Sequence, residues 1–263
     1  MDNFLNEGFG QSIILSAIVS SAFLIGSVAA MFIKFSSRVK ANISSFASGI
    51  FFSAIAFSLV DNAIRVGSIY DMAIGFIVGT VLFGMANHWL KRRYGLDSIS
   101  QKNSIATGLL KESKNRTRES PAEIVIIGTF LDSVPENIYI GIIIALNLPG
   151  LAAAVIVLFL GNLSATLEGA KRMVDEGIAR SKIVKQWTYV FAIIAAAGPA
   201  GYYLERILSN DQIAIALGFA SGALMAFITE ELIPQAFARY QFHIGIAATV
   251  GFLLGFLIFH YNI

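Results

Sequence analysis

Residues 121–146 read PAEIVIIGTFLDSVPENIYIGIIIAL, a long apolar run that carries three acidic residues, Glu123, Asp132 and Glu136. The run exceeds the roughly 20 residues that an α-helix needs to cross the hydrocarbon of a bilayer. It contains no Lys, Arg or His that could neutralise the acids. A charge in lipid is costly, so acids at such positions must be protonated or must hold a cation.

Apolar runs of similar length recur along the whole chain of 263 residues, of which 56% are hydrophobic and 14% charged. Soluble domains carry about 25% charged residues, so the composition indicates a membrane protein. Strands are not expected, because apolar and polar residues do not alternate. We predict an all-α, single transmembrane domain, a bundle of eight transmembrane helices at about residues 11–33, 41–60, 71–90, 121–146, 150–171, 186–204, 212–234 and 243–261.

Basic residues are distributed unevenly between the predicted connections. Of the 19 Lys and Arg residues, only Arg65 and Arg206 fall on one side of the predicted membrane. Because basic loops stay in the cytoplasm, we expect both termini to be extracytoplasmic and the multi-pass chain to lie in a plasma or inner membrane. Residues 91–120 are the one long connection and are predicted to be a cytoplasmic loop. Its charge follows from this orientation, so we expect no nucleic-acid partner.

Small residues indicate where helices approach closely. Glycines spaced four apart, at Gly75 and Gly79 and again at Gly251 and Gly255, are typical of tight contacts between membrane helices. Gly218 and Gly222 show the same spacing. The tetrapeptide Phe-Ala-Ser-Gly occurs at 46–49 and at 219–222, which indicates internal symmetry between the second and seventh spans.

Glu123 has a structural interpretation. It follows Ser120 and Pro121 in a pattern typical of a helix N-terminus, with Ser as the capping residue.

Asp132 and Glu136 have no such explanation. They lie four residues apart and therefore share a helical face. Asp132 is about 16 Å along the helix from its start, near the middle of a bilayer. Pro135 lies between them and has no N–H for the preceding turn, while Ser133 and Asn137 add oxygen atoms. We predict a cation site; the alternative is a pair of protonated acids hydrogen-bonded to neighbouring helices.

Two further spans carry candidate ligands. In the fifth span, Ser164 and Glu168 are four apart, next to Asn162 and Thr166. In the seventh span, Glu230 is the favoured member of a Glu-Glu pair. The alternatives are an ion pair of Glu168 with basic residues just beyond it, and a solvated interfacial pair at the seventh span. The candidate metal ligands are Asp132, Ser133, Glu136, Ser164, Glu168 and Glu230.

Three short motifs resemble those of the ZIP (Zrt/Irt-like) metal transporters. Asp132-Ser-Val-Pro-Glu136-Asn resembles the fourth-span motif, which is His-Asn/Ser-x-Pro-Glu-Gly in many members. Ala165-Thr-Leu-Glu168-Gly-Ala resembles the fifth-span motif, and residues 218–234 are similar to the seventh span. The resemblance implies an eight-helix bundle with a metal path between spans two, four, five and seven.

The resemblance also implies which positions hold the metal. Asp132, Ser133 and Glu136 take the ligand places of span four, and Ser164, Ala165 and Glu168 take those of span five. Asp132 stands where the family usually has His, and Ala165 has no ligand atom, so every imidazole is missing. Carboxylate, hydroxyl and amide oxygens favour ions harder than Zn²⁺, such as Mn²⁺, Mg²⁺ or Ca²⁺.

The leading interpretation is a transporter that moves a divalent cation, such as Zn²⁺, Mn²⁺ or Fe²⁺, toward the cytoplasm. Its partners would be the metal ion as substrate and the lipid bilayer, with a homodimer left open. The chain has no Cys and no GxxxxGK[ST] motif, so no permanently bound cofactor and no nucleotide-driven step are expected. The alternative is a ZIP-like protein that has lost transport and acts as a sensor or assembly partner. An intramembrane enzyme ranks last, because no Gly-Xaa-Gly-Asp loop appears.

Overall fold

The computed structural model describes residues 2–33, 36–93, 121–239 and 244–261, and these residues form helices joined by short turns, without a strand. The predicted all-α fold class is confirmed for this part of the chain. The predicted loop at 91–120, except the last turn of the helix that precedes it, and the predicted cap at Ser120 lie outside the described residues, as does the side chain of Glu123. The helices are α1 (Asp2–Phe32), α2 (Ser37–Ala54), α3 (Val60–Val66), α4 (Ile69–Arg93), α5 (Pro121–Ala145), α6 (Leu151–Asp175), α7 (Arg180–Leu204), α8 (Asn210–Phe227), α9 (Ile233–Arg239) and α10 (Ile244–Tyr261).

Residues 37–66 and 210–239 each form one continuous helical rod that contains a π-helical turn. Ile55–Leu59 joins α2 to α3, and Ile228–Leu232 joins α8 to α9. Each turn follows a Phe-Ala-Ser-Gly tetrapeptide at the same spacing. Single π-helical turns inside α-helices occur frequently at functional sites. The two rods therefore share a backbone feature as well as a sequence motif.

Seven helical stretches of the described residues are long and apolar enough to cross a membrane, which is consistent with a multi-pass membrane protein. α7 is not among them, although the predicted sixth span at 186–204 lies within it. Its apolar residues are diluted by Thr188, Pro199, Tyr202 and Tyr203. The count of eight spans and the orientation of the termini stay predictions. The seven stretches are Glu7–Phe32, Ala41–Val66, Ile69–Trp89, Ile126–Ala145, Leu151–Asp175, Asn210–Leu232 and Ile244–Tyr261.

Local chemistry sets several helix ends. Ser209 and Gln212 form a reciprocal capping box at the start of α8. Between α5 and α6, Asn147 and Gly150 adopt left-handed backbone conformations, with φ of 50° and 83°. Glycine takes this conformation without strain, so the chain reverses within a few residues. As a result, α5 and α6 run antiparallel and pack against each other.

The glycine pairs predicted from the sequence lie at close helix contacts. Gly75 of α4 faces the backbone of Ile215 in α8, and Gly222 of α8 faces the carbonyl of Phe76 in α4. Gly251 of α10 meets the backbone of α2 in the same way. A side chain at any of these positions would collide with backbone atoms, so the absence of a Cβ is what allows the helices to approach.

The two rods are more deeply buried than the helices α4 and α10. In their most apolar stretches, 67% of Ala41–Val66 and 61% of Asn210–Leu232 are buried, compared with 17% for α4 and 22% for α10. The exposed side chains of α4 and α10 are mainly Ile, Val and Leu, as expected of surfaces that meet lipid. Most buried Ser, Asn, Asp and Glu side chains that are described below lie on these two rods and on α5 and α6.

Candidate functional site

The fourth predicted span places two carboxyl groups inside the bundle. Asp132 and Glu136 of α5 are 4% and 1% exposed, and they lie one helical turn apart on the same face. The hydroxyl of Ser133 donates to Oδ1 of Asp132 at 3.0 Å. Pro135 lies within the same turn and offers no N–H to the carbonyl of Leu131. This turn is thus rich in acceptor oxygens and poor in donors.

Only one of the two carboxyl oxygens of Glu136 has a hydrogen-bond partner among the described residues. Its Oε2 accepts a hydrogen bond from the Asn162 side-chain amide of α6 at 3.1 Å. Its Oε1 is buried and has no hydrogen-bond partner among the described residues. A buried acceptor without a donor costs about 1–3 kcal/mol, so the oxygen needs a proton or a cation that the surrounding protein does not supply.

Neither carboxyl group has a cationic neighbour in the described part of the chain. No Lys, Arg or His forms an ion pair with Asp132 or Glu136 there. The buried polar residues of the same part are Ser, Thr, Asn, Asp and Glu. Two neighbouring carboxylates cannot both stay ionised in such an interior without a positive charge between them.

Glu168 belongs to a second polar contact. It is 8% exposed on α6, and its Oε2 accepts a hydrogen bond from the hydroxyl of Ser44 on α2. Six residues separate it from Asn162, which corresponds to about 9 Å along the helix. Thr166 lies between the two and donates to the carbonyl of Asn162 at 2.6 Å. Ser164 is half-buried on α6.

The carboxylates of Asp132, Glu136 and Glu168 do not form one group of three. Within residues 2–33, 36–93, 121–239 and 244–261, no three Asp, Glu or His side chains are grouped closely enough to hold a metal ion. The rise along α6 explains the separation, since the contact of Glu136 and the side chain of Glu168 are at different levels. A cation held by α5 and α6 would therefore need amide and hydroxyl oxygens as well.

Glu230 lies on a different helical segment from Asp132, Glu136 and Glu168. It is exposed in the π-helical turn after α8, and its Oε2 accepts a hydrogen bond from Asn87 of α4 at 2.8 Å. This contact joins α4 to the end of α8.

Asn137 also faces another helix. Its Oδ1 accepts from the hydroxyl of Ser16 on α1 at 2.7 Å, and its amide donates to the carbonyl of Ser133 at 3.1 Å. It therefore fastens α5 to α1 and orients the turn that carries the acids. The serines Ser12, Ser16 and Ser20, spaced four apart in an apolar run, were the signal that could have identified this face of α1.

A further polar trio was missed by the sequence interpretation. Tyr139 of α5 accepts a hydrogen bond from the amide of Asn62 in α3 at 2.8 Å, and its hydroxyl is hydrogen-bonded to that of Ser58. All three residues are buried. Tyr139 lies one turn beyond Glu136, so this trio extends the polar face of α5.

Comparison with known proteins adds no family. No protein-family model matches the chain, and no curated protein matches it in sequence. The similarity to the metal transporters therefore depends on the three short motifs, and it stays a prediction.

Proposed function

We propose that the chain is an integral membrane transporter of divalent metal cations, similar to the ZIP transporters, that moves its ion toward the cytoplasm. The observation that carries the proposal is the carboxyl group of Glu136, which is buried, lies beside the buried Asp132, and keeps one oxygen without a hydrogen-bond donor among the described residues. Ionisable residues inside a membrane are rare, and those that occur mark ion pathways and proton relays.

The polar contacts form successive levels along the antiparallel helices α5 and α6. Asn162 meets Glu136 at one level, and Ser44 meets Glu168 about 9 Å further along α6. Asp132 and Ser133 lie between these levels on α5. An ion would pass from the pair of Asp132 and Glu136 to Glu168, and this sequence of sites does not require a single group of three carboxylates.

The ligands on this path are oxygen atoms. When an ion is present, half a turn of the Asn162 amide would replace its N–H with its oxygen beside Glu136. Carboxylates and amides suit Mn²⁺, Mg²⁺ and Ca²⁺ better than ions that prefer nitrogen or sulfur. We therefore propose a hard divalent cation as the substrate. Glu230, whose described hydrogen bond goes to Asn87, is not needed for this path.

The proposal includes eight spans and external termini. α7 has 25 residues, which is long enough to cross a bilayer, and it packs against α1 and α5. With α7 as a span, the basic connections fall on one side, and we propose a plasma or inner membrane on that basis.

The test is uptake into proteoliposomes. Wild-type protein should accumulate Mn²⁺ from a panel that also contains Mg²⁺, Fe²⁺, Co²⁺, Zn²⁺ and Cd²⁺. Glu136→Gln and Glu168→Gln should abolish uptake, because an amide cannot balance the charge of the ion. Glu176→Gln is the matched control, since Glu176 is exposed and pairs with Arg172. Wild-type vesicles that accumulate none of these ions would refute the proposal.

The absence of a three-carboxylate group in the described residues favours a second candidate, a ZIP-like protein that no longer transports and serves as a sensor or assembly partner. In that case the combined change of Asp132, Glu136 and Glu168 to amides would leave the protein's activity in cells intact. Loss of that activity, together with loss of uptake, would exclude this candidate.

A further inference from the structure

We infer that Ser58, Asn62 and Tyr139 form a second cation site, built only of neutral oxygen ligands, one helical turn from Glu136. This inference rests on the proposed function, because it gives the transported ion a binding position next to the carboxylates. It also narrows the substrate to ions that accept amide, phenol and hydroxyl oxygens.

The first reason is an unsatisfied amide. Asn62 is 2% exposed; its Nδ2 donates to the Tyr139 hydroxyl at 2.8 Å, while its Oδ1 is buried without a partner among the described residues. Rotating the amide leaves one end unpaired in either orientation. The protein alone therefore does not satisfy this residue, and an acceptor oxygen of this kind is a ligand for a positive ion.

The second reason is the convergence of three backbone elements. Ser58 comes from the π-helical turn Ile55–Leu59, Asn62 from α3 and Tyr139 from α5. The Ser58 oxygen keeps a lone pair whichever of the two hydroxyls donates, and the Tyr139 oxygen, which already accepts from Asn62, keeps one when the phenol donates to Ser58. The trio thus brings the Ser58 and Tyr139 oxygens together inside the bundle, with the Asn62 amide against the phenol; half a turn of that amide would bring its own oxygen to the same place.

The third reason is position. Tyr139 follows Glu136 by three residues, which places the two side chains on one face about 4.5 Å apart along the helix axis. The second orphan acceptor nearby is Oε1 of Glu136 itself. An ion held by neutral ligands at the trio could exchange part of its water shell there before the carboxylates bind it.

The experiment compares uptake of Mn²⁺, a hard ion, with that of Cd²⁺, a softer one, in proteoliposomes. Tyr139→Phe and Asn62→Leu keep the shape of the side chain and remove ligand oxygens. Each should raise the KM for Mn²⁺ about tenfold, as expected for one lost ligand to a charged group. The KM for Cd²⁺ should rise less, because softer ions depend less on neutral oxygens.

Ser53→Ala is the matched control for Ser58→Ala. Both serines are buried on the same rod, but Ser53 donates only to the carbonyl of Ile50 in its own helix. Ser58→Ala should change the ratio of the two KM values, whereas Ser53→Ala should keep the wild-type ratio. The Ser58→Ala variant still tests the second site if Asn62→Leu does not fold.

The outcomes separate the two proposals. If Glu136→Gln abolishes Mn²⁺ uptake while Tyr139→Phe, Asn62→Leu and Ser58→Ala keep wild-type KM values, the second site is refuted and the transporter stands. Equal changes for both ions, accompanied by a lower melting temperature, would also refute the site, because they would show a structural contact. Wild-type vesicles that take up neither ion would refute the transporter itself.

Discussion

The side-chain amide of Asn162 on α6 donates to Oε2 of Glu136 on α5 at 3.1 Å, and this bond connects the two helices in their buried interior. It is formed by residues 26 positions apart. The other oxygen of Glu136 has no partner among the described residues, so the amide carries much of the stabilisation of this carboxyl group.

We expect Asn162→Leu to destabilise the protein by about 1–3 kcal/mol, because both oxygens of Glu136 then lack a donor. Thermal denaturation in detergent measures the effect. In a Glu136→Met background the same change should cost much less, since the acceptor has been removed as well. Strictly additive effects of the two changes would contradict this coupling.

Ser44→Ala should impair uptake more than Ser48→Ala. Ser44 donates to Glu168 on another helix, whereas Ser48 donates to the carbonyl of Ser44 within α2 at 2.8 Å. Losing the first bond leaves a buried carboxyl oxygen with one donor fewer, at a cost of about 1–3 kcal/mol. Initial uptake rates and melting temperatures of the two alanine variants would show the difference, and identical behaviour would count against a role for Ser44.

Replacing Asp132 by His should shift ion preference toward Zn²⁺. An imidazole nitrogen at this position adds a ligand that Zn²⁺ favours over Mn²⁺. We expect the ratio of Zn²⁺ to Mn²⁺ uptake to rise about tenfold, equivalent to about 1.4 kcal/mol. Asp132→Asn serves as the control, because it removes the charge without adding an imidazole. An unchanged ratio in Asp132→His would show that this position does not contact the ion.

Gly222→Ala should loosen the contact between α4 and α8. A Cβ there would collide with the carbonyl of Phe76, and overpacking of this kind costs about 1–3 kcal/mol. Gly245→Ala is the control, because a Cβ at Gly245 meets nothing within 4 Å. A lower melting temperature for Gly222→Ala alone is the expected result; equal melting temperatures would contradict the tight contact.

Labelling of single cysteines can decide whether α7 crosses the membrane. The chain has no natural Cys, so each introduced thiol is the only one present. Ser181→Cys and Asn210→Cys lie at exposed positions near the two ends of the segment. An impermeant maleimide should label them from opposite sides of a sealed vesicle. Labelling from the same side would reduce the count of spans to seven.

The sequence was sufficient to predict the helical class and to predict that Asp132 and Glu136 lie on one face of a helix. Asp132 and Glu136 stand out because charged residues inside an apolar run are rare, and their spacing of four fixes their common face. The pairs of glycines were identified for a similar reason, since Gly75 and Gly222 follow a known spacing.

The partners of these acids could not be predicted. Ser44 and Glu168 are 124 positions apart, and a serine in an apolar helix carries no signal of its distant neighbour. Nothing in the sequence singles out Tyr139, and only the structure shows that the Asn62 amide donates to its hydroxyl. Which side of each helix turns inward depends on tertiary contacts, and these also separate Glu168 from the level of Glu136.

The π-helical turn at Ile55–Leu59 changes the angular phase of everything that follows it. Such a turn holds one residue more than an α-helical turn, and one residue corresponds to about 100° of rotation. Asn62 therefore points toward Tyr139 because the turn before it holds one residue more than an α-helical turn. If the same residues, with none removed, wound as a uniform α-helix, the amide would turn about 100° away from its phenol, although every side chain of the trio would still be present.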